Sequence, residues 1–168
     1  MRVDGETLVS VWVSDNIFSL IGYTPEQALA PNWWWLHLHP DDHEVVAAGK
    51  TVLFAQGQLS HEYRFFGKDS QIIWVRDNQR LIRDQRGRPT EIVGAWLDIS
   101  QRKHTESVQM ARNAVLDQIV ANRPLPSILD DIACHLETIG PDMRVSILLV
   151  DPRSGLLTNG AAPSLPAF

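Results

Sequence analysis

Residues Leu59 to Ser100 read LSHEYRFFGKDSQIIWVRDNQRLIRDQRGRPTEIVGAWLDIS, and this stretch decides the fold. It alternates over three runs, 60–66, 71–83 and 90–99, that are rich in Val, Ile, Phe, Trp and Tyr. Between them stand the turn-forming clusters Gly67-Lys68-Asp69-Ser70 and Asp84-Gln85-Arg86-Gly87-Arg88-Pro89. Period-two alternation bounded by Gly, Asp and Pro predicts an antiparallel meander of three strands. The segments before it read as a cover for one face of that sheet.

Working outward, Asp4-Gly5 predicts a hairpin turn and residues 8–13 a strand. The strand that should pair with it is reduced to roughly Arg2-Val3. Thr24-Pro25-Glu26-Gln27 marks a helix start, with Thr as cap and Pro at the first helical position. Pro40 opens a further helix, in whose first turn Asp41 and Asp42 suit the dipole, and Gly57 ends it. On the other side, Ser100 is a cap candidate for a long polar helix from Gln101 to about Asn122. Its apolar residues Val108, Ala111, Val115 and Ile119 recur at spacings of three and four, a narrow seam suited to pairing with another helix. Pro124 and Pro126 break it. A second amphipathic helix presents Leu125, Leu129, Ile132, Ala133, Leu136 and Ile139 on one face and closes at Gly140-Pro141. Residues 145–150 then predict a buried strand. One helix and one or two strands cannot close a core, so residues 124–168 read as part of a second domain.

Composition bounds the function classes. The 168 residues are 44% hydrophobic and 21% charged, ordinary globular values. Fifteen basic against 20 acidic residues leave a formal charge of −5, so no overall field draws nucleic acid or an anionic membrane. A single cysteine, Cys134, excludes an intramolecular disulfide, fits a reducing compartment and reads as a small buried residue. With no signal pattern and no span-length apolar run, the expectation is a cytoplasmic protein.

Seven pieces in order carry a family resemblance. They are Val13-Ser14-Asp15-Asn16 with Ile21-Gly22-Tyr23-Thr24-Pro25-Glu26, His39-Pro40-Asp41-Asp42, Glu62-Tyr63-Arg64, Trp74-Val75, Arg83-Asp84 with Gly87, Val93-Gly94, and Asp98-Ile99-Ser100 with Arg102-Lys103 and Glu106. On these, residues 8 to 106 resemble a bacterial PAS sensor domain ending in a PAC-type motif. The resemblance implies an α+β fold with a five-stranded antiparallel sheet, helices on one face, and the first strand in the middle of the sheet. That strand is largely missing from this sequence, which would leave its neighbours' backbone groups unpaired unless something else fills the slot. Residues 124–168 resemble the beginning of a GAF domain, on the Pro-Leu helix start, the 145–150 strand with Asp151-Pro152, and Gly160-Ala161-Ala162-Pro163-Ser164-Leu165-Pro166. The implied organisation is a PAS domain over 1–100, a signalling helix over 101–123 and an incomplete GAF domain over 124–168.

In such a domain the pocket lies between the helices and one sheet face, so strand phase selects its lining. Trp74, Arg76, Asn78 and Arg80 share a face of the middle run. Arginines are rarely buried unpaired, so that face is assigned outward, leaving Val75, Asp77 and Gln79 inward. Tyr63 and Phe65 on the first strand, and Ile92, Gly94 and Trp96 on the third, join them by pairing. Two readings stand: a pocket in which Tyr63, Asp77 and Gln79 orient a small polar ligand, or a packed core in which they bond each other or water. Trp74 on the outer face is either a dimer or linker contact, or a ring covered by the chain's own helix.

The remaining candidates are weaker. His37, His39, His43, Asp41 and Asp42 have helical spacing for a metal, but His-Pro-Asp-Asp is a helix entry in the family and no metal site is assigned. His61 is likewise not assigned to haem. Flavin sensors of the family carry a reactive cysteine where Trp33, Trp34 and Trp35 stand, so covalent flavin chemistry is not expected and no cofactor is named. No glycine-rich phosphate loop, nucleophile elbow or catalytic carboxylate pair appears, so the chain is not read as an enzyme. The expectation is a sensory input module that senses a small ligand or partner. Asp98, Ser100 and Arg102 would relay the signal into a helix paired in a homodimer through Val108, Val115 and Ile119. A downstream effector, for cyclic-di-GMP turnover or a histidine kinase, would receive it. The alternatives are a ligand-free dimerisation scaffold and a haem- or other cofactor-binding sensor.

Overall fold

A computed structural model describes residues 1–4, 7–139 and 143–165. The turn at Asp4-Gly5, the stop at Gly140-Pro141 and Pro166 therefore lie outside the described residues, in whole or in part. The chain divides into two units, Met1–Lys103 and His104–Phe168.

In the first unit, strands β1 (Arg2–Asp4) and β2 (Thr7–Val9) precede three short elements, helices α1 (Ile17–Ile21), α2 (Pro25–Ala28) and α3 (Trp33–His37). A 3-10 turn, Pro40–Asp42, leads into α4 (His43–Gln56), and the meander follows as β3 (Gln58–Phe66), β4 (Ile72–Arg83) and β5 (Pro89–Asp98). All pairings are antiparallel and the sheet order is β2-β1-β5-β4-β3. The three long strands lie within two residues of their predicted limits. The strand expected at residues 8–13 is shorter, leaving the ladder after Val9.

The first strand is as short as expected, three residues, and it fills its slot. Short as it is, β1 occupies the middle of the sheet, pairing Arg2 with Glu91 and Val3 with Leu8. The Met1 ammonium donates to the Ile92 carbonyl and the Ile92 N–H donates to the Met1 carbonyl, both at 2.8 Å. Val3 and Leu8 pack against the buried cluster Leu53, Leu81 and Ile92, which gives so short a strand its hold. The larger cluster lies under the helices: Ile17, Ile21, Trp33, Leu38, Tyr63, Phe65 and Val75. Each fully buried aliphatic or aromatic side chain there is worth roughly 1.5–3 kcal/mol of transfer free energy.

The helices hold this face through local chemistry that the sequence announces. At α2, Thr24 and Gln27 form a reciprocal capping box. The α4 helix ends on Gly57 at φ 79°, whose N–H bonds the Leu53 carbonyl at 2.8 Å. His39-Pro40-Asp41-Asp42 clamps the sheet's edge. The Arg64 backbone N–H donates to Asp42 Oδ2 at 2.7 Å, and its guanidinium donates to both Asp42 oxygens and to Asp41. Those hydrogen bonds hold the Asp42 carboxyl below its usual range against the opposing effect of burial.

The helix α5 (Ser100–Val120) has no buried residue. Val108 is 48% exposed and Ile119 54%, while Val115 is half-buried. In the second unit α6 (Leu125–Ile139) lies against a hairpin of β6 (Ile147–Val150) and β7 (Leu157–Ala161). A side chain at Gly160 would meet the Ile147 carbonyl at 2.9 Å, so glycine permits the close approach there. Two expectations are corrected in α6. Of its described side chains Ile128 and Ala133 are the buried ones, while Leu125 and Leu136 are exposed; Cys134 is exposed, one position off the packed face. Among the described residues no helix is long and apolar enough to cross a membrane, and no three His, Cys, Asp or Glu side chains form a metal cluster.

Candidate functional site

The register of three strands assembles one polar cluster on the inner face of the sheet. His61 pairs with Asp77 and Asp77 with Trp96; Leu59 pairs with Gln79 and Gln79 with Gly94. Strand alternation turns His61, Tyr63, Asp77, Gln79 and Trp96 to the same side, toward the helices. Asp77 is only 2% exposed. Its Oδ2 accepts from the Tyr63 hydroxyl at 2.9 Å and from Gln79 Nε2 at 2.6 Å, while His61 Nε2 stands 3.7 Å away. Burial, and then the Asp77 charge, push the Tyr63 phenol well above its ordinary value, so Tyr63 stays protonated and keeps donating. Asp77 Oδ1 and both His61 ring nitrogens are buried with no hydrogen-bond partner.

Of the residues assigned inward, Tyr63, Asp77 and Gln79 meet in this cluster. Phe65 and Trp96 adjoin it, with ring centroids 4.9 Å apart, and Val75 is fully buried beside them. Ile92 does not join them; it belongs with Leu53 and Leu81. His61, set aside above as a haem ligand, is part of the cluster, and its even spacing from Tyr63 was the available signal. Gly49 was not singled out. A Cβ there would lie 2.9 Å from Leu59 Cδ2 and 3.2 Å from His61 Nδ1, so glycine lets α4 close over the histidine. Beside the cluster an open groove of about 470 Å³ is lined by Gln56, Gln58, Leu59, Ser60, Asn78 and Gln79.

The outer face carries a second constellation built from the intervening residues. Glu62 Oε1 accepts from Arg76 Nε at 3.1 Å and from Arg102 at 2.7 Å, and Lys103 Nζ lies 2.9 Å from Oε2. The Lys103 bond first, then the Arg102 bond, lower the Glu62 pKa to about 2. Lys103 Nζ also stands 4.7 Å from the Trp74 ring centroid, and Arg64 is 5.6 Å from it on the same half-buried indole. Ser100 lies inside α5 instead of capping it. Its Oγ accepts the Trp74 N–H at 3.0 Å, and its N–H donates to Asp98 Oδ1 at 2.8 Å. The Ile99 N–H adds a bond to the Trp74 carbonyl at 2.9 Å. Asp98, Ser100 and Arg102 thus converge on one junction, to which Glu62 and Lys103 are the additions.

The PAS fold family model matches residues 10–96. The chain belongs to the PAS family. A methyl sulfide methyltransferase-associated sensor of Methanosarcina acetivorans is 31% identical over 96% of this chain and 17% of its own length. The sensor protein FixL of Bradyrhizobium diazoefficiens is 30% identical over 77% of this chain and 26% of its own length. The chain therefore spans 17% and 26% of the length of these two relatives. Among solved structures, the N-terminal domain of a diguanylate cyclase with PAS/PAC sensor from Marinobacter aquaeolei superposes with a TM-score of 0.55 at 24% identity. That match covers 61% of this chain and 95% of the other, and it shows the same fold. The inner polar cluster therefore lies on the helix-covered face of a PAS sheet, and the Glu62 junction at the end from which its C-terminal helix departs.

Proposed function

We propose that this PAS domain is the sensory input module of a larger signalling protein. A small ligand or partner acts at the inner cluster, and the junction of Asp98, Ser100 and Arg102 passes the shift into α5. The observation that carries this reading is alternation along two strands. Tyr63 and Asp77 of the inner cluster are immediate neighbours of Glu62 and Arg76 on the outer face, and Glu62 bonds the start of α5. A displacement of either strand at the cluster must move the groups that hold the helix. Both curated relatives are sensors, which supports the reading. In the parent protein α5 pairs with a second copy through Val108, Val115 and Ile119, and residues 124–168 begin a GAF domain. The effector beyond is of the cyclic-di-GMP or histidine kinase type.

The test is native mass spectrometry of protein exposed to a small-molecule cell extract, followed by hydrogen exchange of residues 100–110. Bound mass together with altered exchange is expected. Asp98→Ala should keep the bound mass and lose the exchange response; an undiminished response without Asp98 overturns the relay. The exposed apolar residues of α5 also favour a second reading, a ligand-free dimerisation scaffold. A dimer that takes up no mass from the extract would select it.

A further inference from the structure

The inner cluster carries an imbalance that points to a class of ligand, and the inference rests on the sensing reading above. Asp77 accepts two hydrogen bonds on one oxygen, the arrangement of a carboxylate, and its other oxygen has no partner. A buried charge of this kind is costly unless an opposite charge and further hydrogen bonds compensate it. Among the described residues no Lys or Arg forms an ion pair with Asp77; the nearest basic group is His61 at 3.7 Å, with both ring nitrogens unpartnered.

The free oxygen points at the one place on the inner face of β5 that lacks a side chain. A Cβ on Gly94 would lie 3.3 Å from Asp77 Oδ1, and Gly94 itself is exposed. Its neighbours on that face, Gln79 and Trp96, are only half-buried. Aromatic rings border the cluster: Trp34 and Trp96 pack against Tyr63 with centroids 5.8 and 6.2 Å away. A buried carboxylate oxygen short of a donor, covered on one side only by a glycine and set beside a tyrosine packed between indole rings, favours a positive charge that can also donate hydrogen bonds.

We propose that Asp77 anchors a small organic cation bearing N–H donors, an alkylammonium or alkylguanidinium group, which enters over Gly94 and is bordered by Trp96. A neutral polar ligand could fill the donor gap at Oδ1. It would leave the buried charge uncompensated.

The test uses the 168-residue chain and two probe pairs of similar shape, methylguanidinium against methylurea and ethylammonium against ethanol. The readouts are the NMR shifts of the Gly94 amide and the Trp96 indole N–H. Saturable shifts are expected with the cations, and affinity at least about tenfold lower for the neutral partners. Asp77→Asn should abolish the preference. Should that variant unfold, Gly94→Ala keeps the question answerable. Its backbone lies outside the left-handed region, so alanine adds no backbone strain, and the methyl, 3.3 Å from the free oxygen, covers it after a shift of a few tenths of an ångström and should block binding. Equal binding of cation and neutral partner overturns the cation inference while leaving the sensing reading intact. A doubly protonated His61 at neutral pH with no cation binding overturns it too, because the charge is then balanced from within. Failure of the sensing reading shows elsewhere, in an extract that adds no mass and leaves α5 exchange unchanged.

Discussion

Glu62 and Tyr63 are adjacent in sequence, and the pleat of β3 sends them to opposite faces with opposite consequences for their protons. Tyr63 is buried beside a carboxylate and holds its proton; Glu62 lies among three cations and gives its proton up. Glu62→Gln should cost about 1–2 kcal/mol at neutral pH, since its side chain is 27% exposed and solvent screens the pairs. The pH dependence has a defined sign. The folded pKa of about 2 lies below the ordinary 4.5, so the stabilisation is complete above 4.5 and disappears as pH falls through about 2. Urea melts across that window should show the gap between wild type and Glu62→Gln closing with acid; a gap independent of pH would remove the ion pairs as its cause. Tyr63→Phe deletes one of two donors to Asp77 and should destabilise by about 1–3 kcal/mol in the same melts. The inward assignment of Tyr63, Asp77 and Gln79 was legible from period-two phase and the rarity of buried unpaired arginine. That one carboxylate gathers Arg76, Arg102 and Lys103 was not, because Arg102 and Lys103 reach Glu62 across about 40 residues of chain.

Elements in this domain meet at closer range than their sequences suggest. Gly49 is the clearest case. In an isolated helix Gly→Ala is stabilising by about 1 kcal/mol. In α4 the added methyl would lie 2.9 Å from Leu59 Cδ2, so Gly49→Ala should instead destabilise by about 1–3 kcal/mol in denaturant melts. A stabilised variant would mean that α4 has room to move off β3. The glycine was visible in the sequence as a weak point in a helix, but its reason is the neighbouring strand. The opposite lesson comes from β1. Judged by length alone it was too short to count as a strand, yet two backbone bonds to Ile92 and the packing of Val3 keep it in the sheet. Trp74, outward by phase and open to two readings, lies half-buried against Lys103 of α5.

At the scale of the whole molecule, α5 is the longest helix, 21 residues, and has no buried residue. The proposed pairing of two copies predicts a dimer in sedimentation velocity, and Val108→Glu with Ile119→Glu should convert it to monomer without altering the melting of the 1–103 unit. A monomeric wild type at about 100 μM would exclude a pairing with a Kd below about 100 μM, or about −5.5 kcal/mol. The amino-acid sequence by itself determined the meander, its inward face, the start of α2 at Thr24, the stop of α4 at Gly57 and the family. These follow from period-two alternation, caps and turn residues, all of which act over a few neighbouring positions. Only the tertiary structure decided that β1 completes the sheet, that Ile92 leaves the polar cluster while His61 joins it, that Cys134 is exposed, and that Asp77 keeps one oxygen without a donor. Each of these depends on which distant segments come within a few ångströms of one another, and local alternation carries no information about that distance.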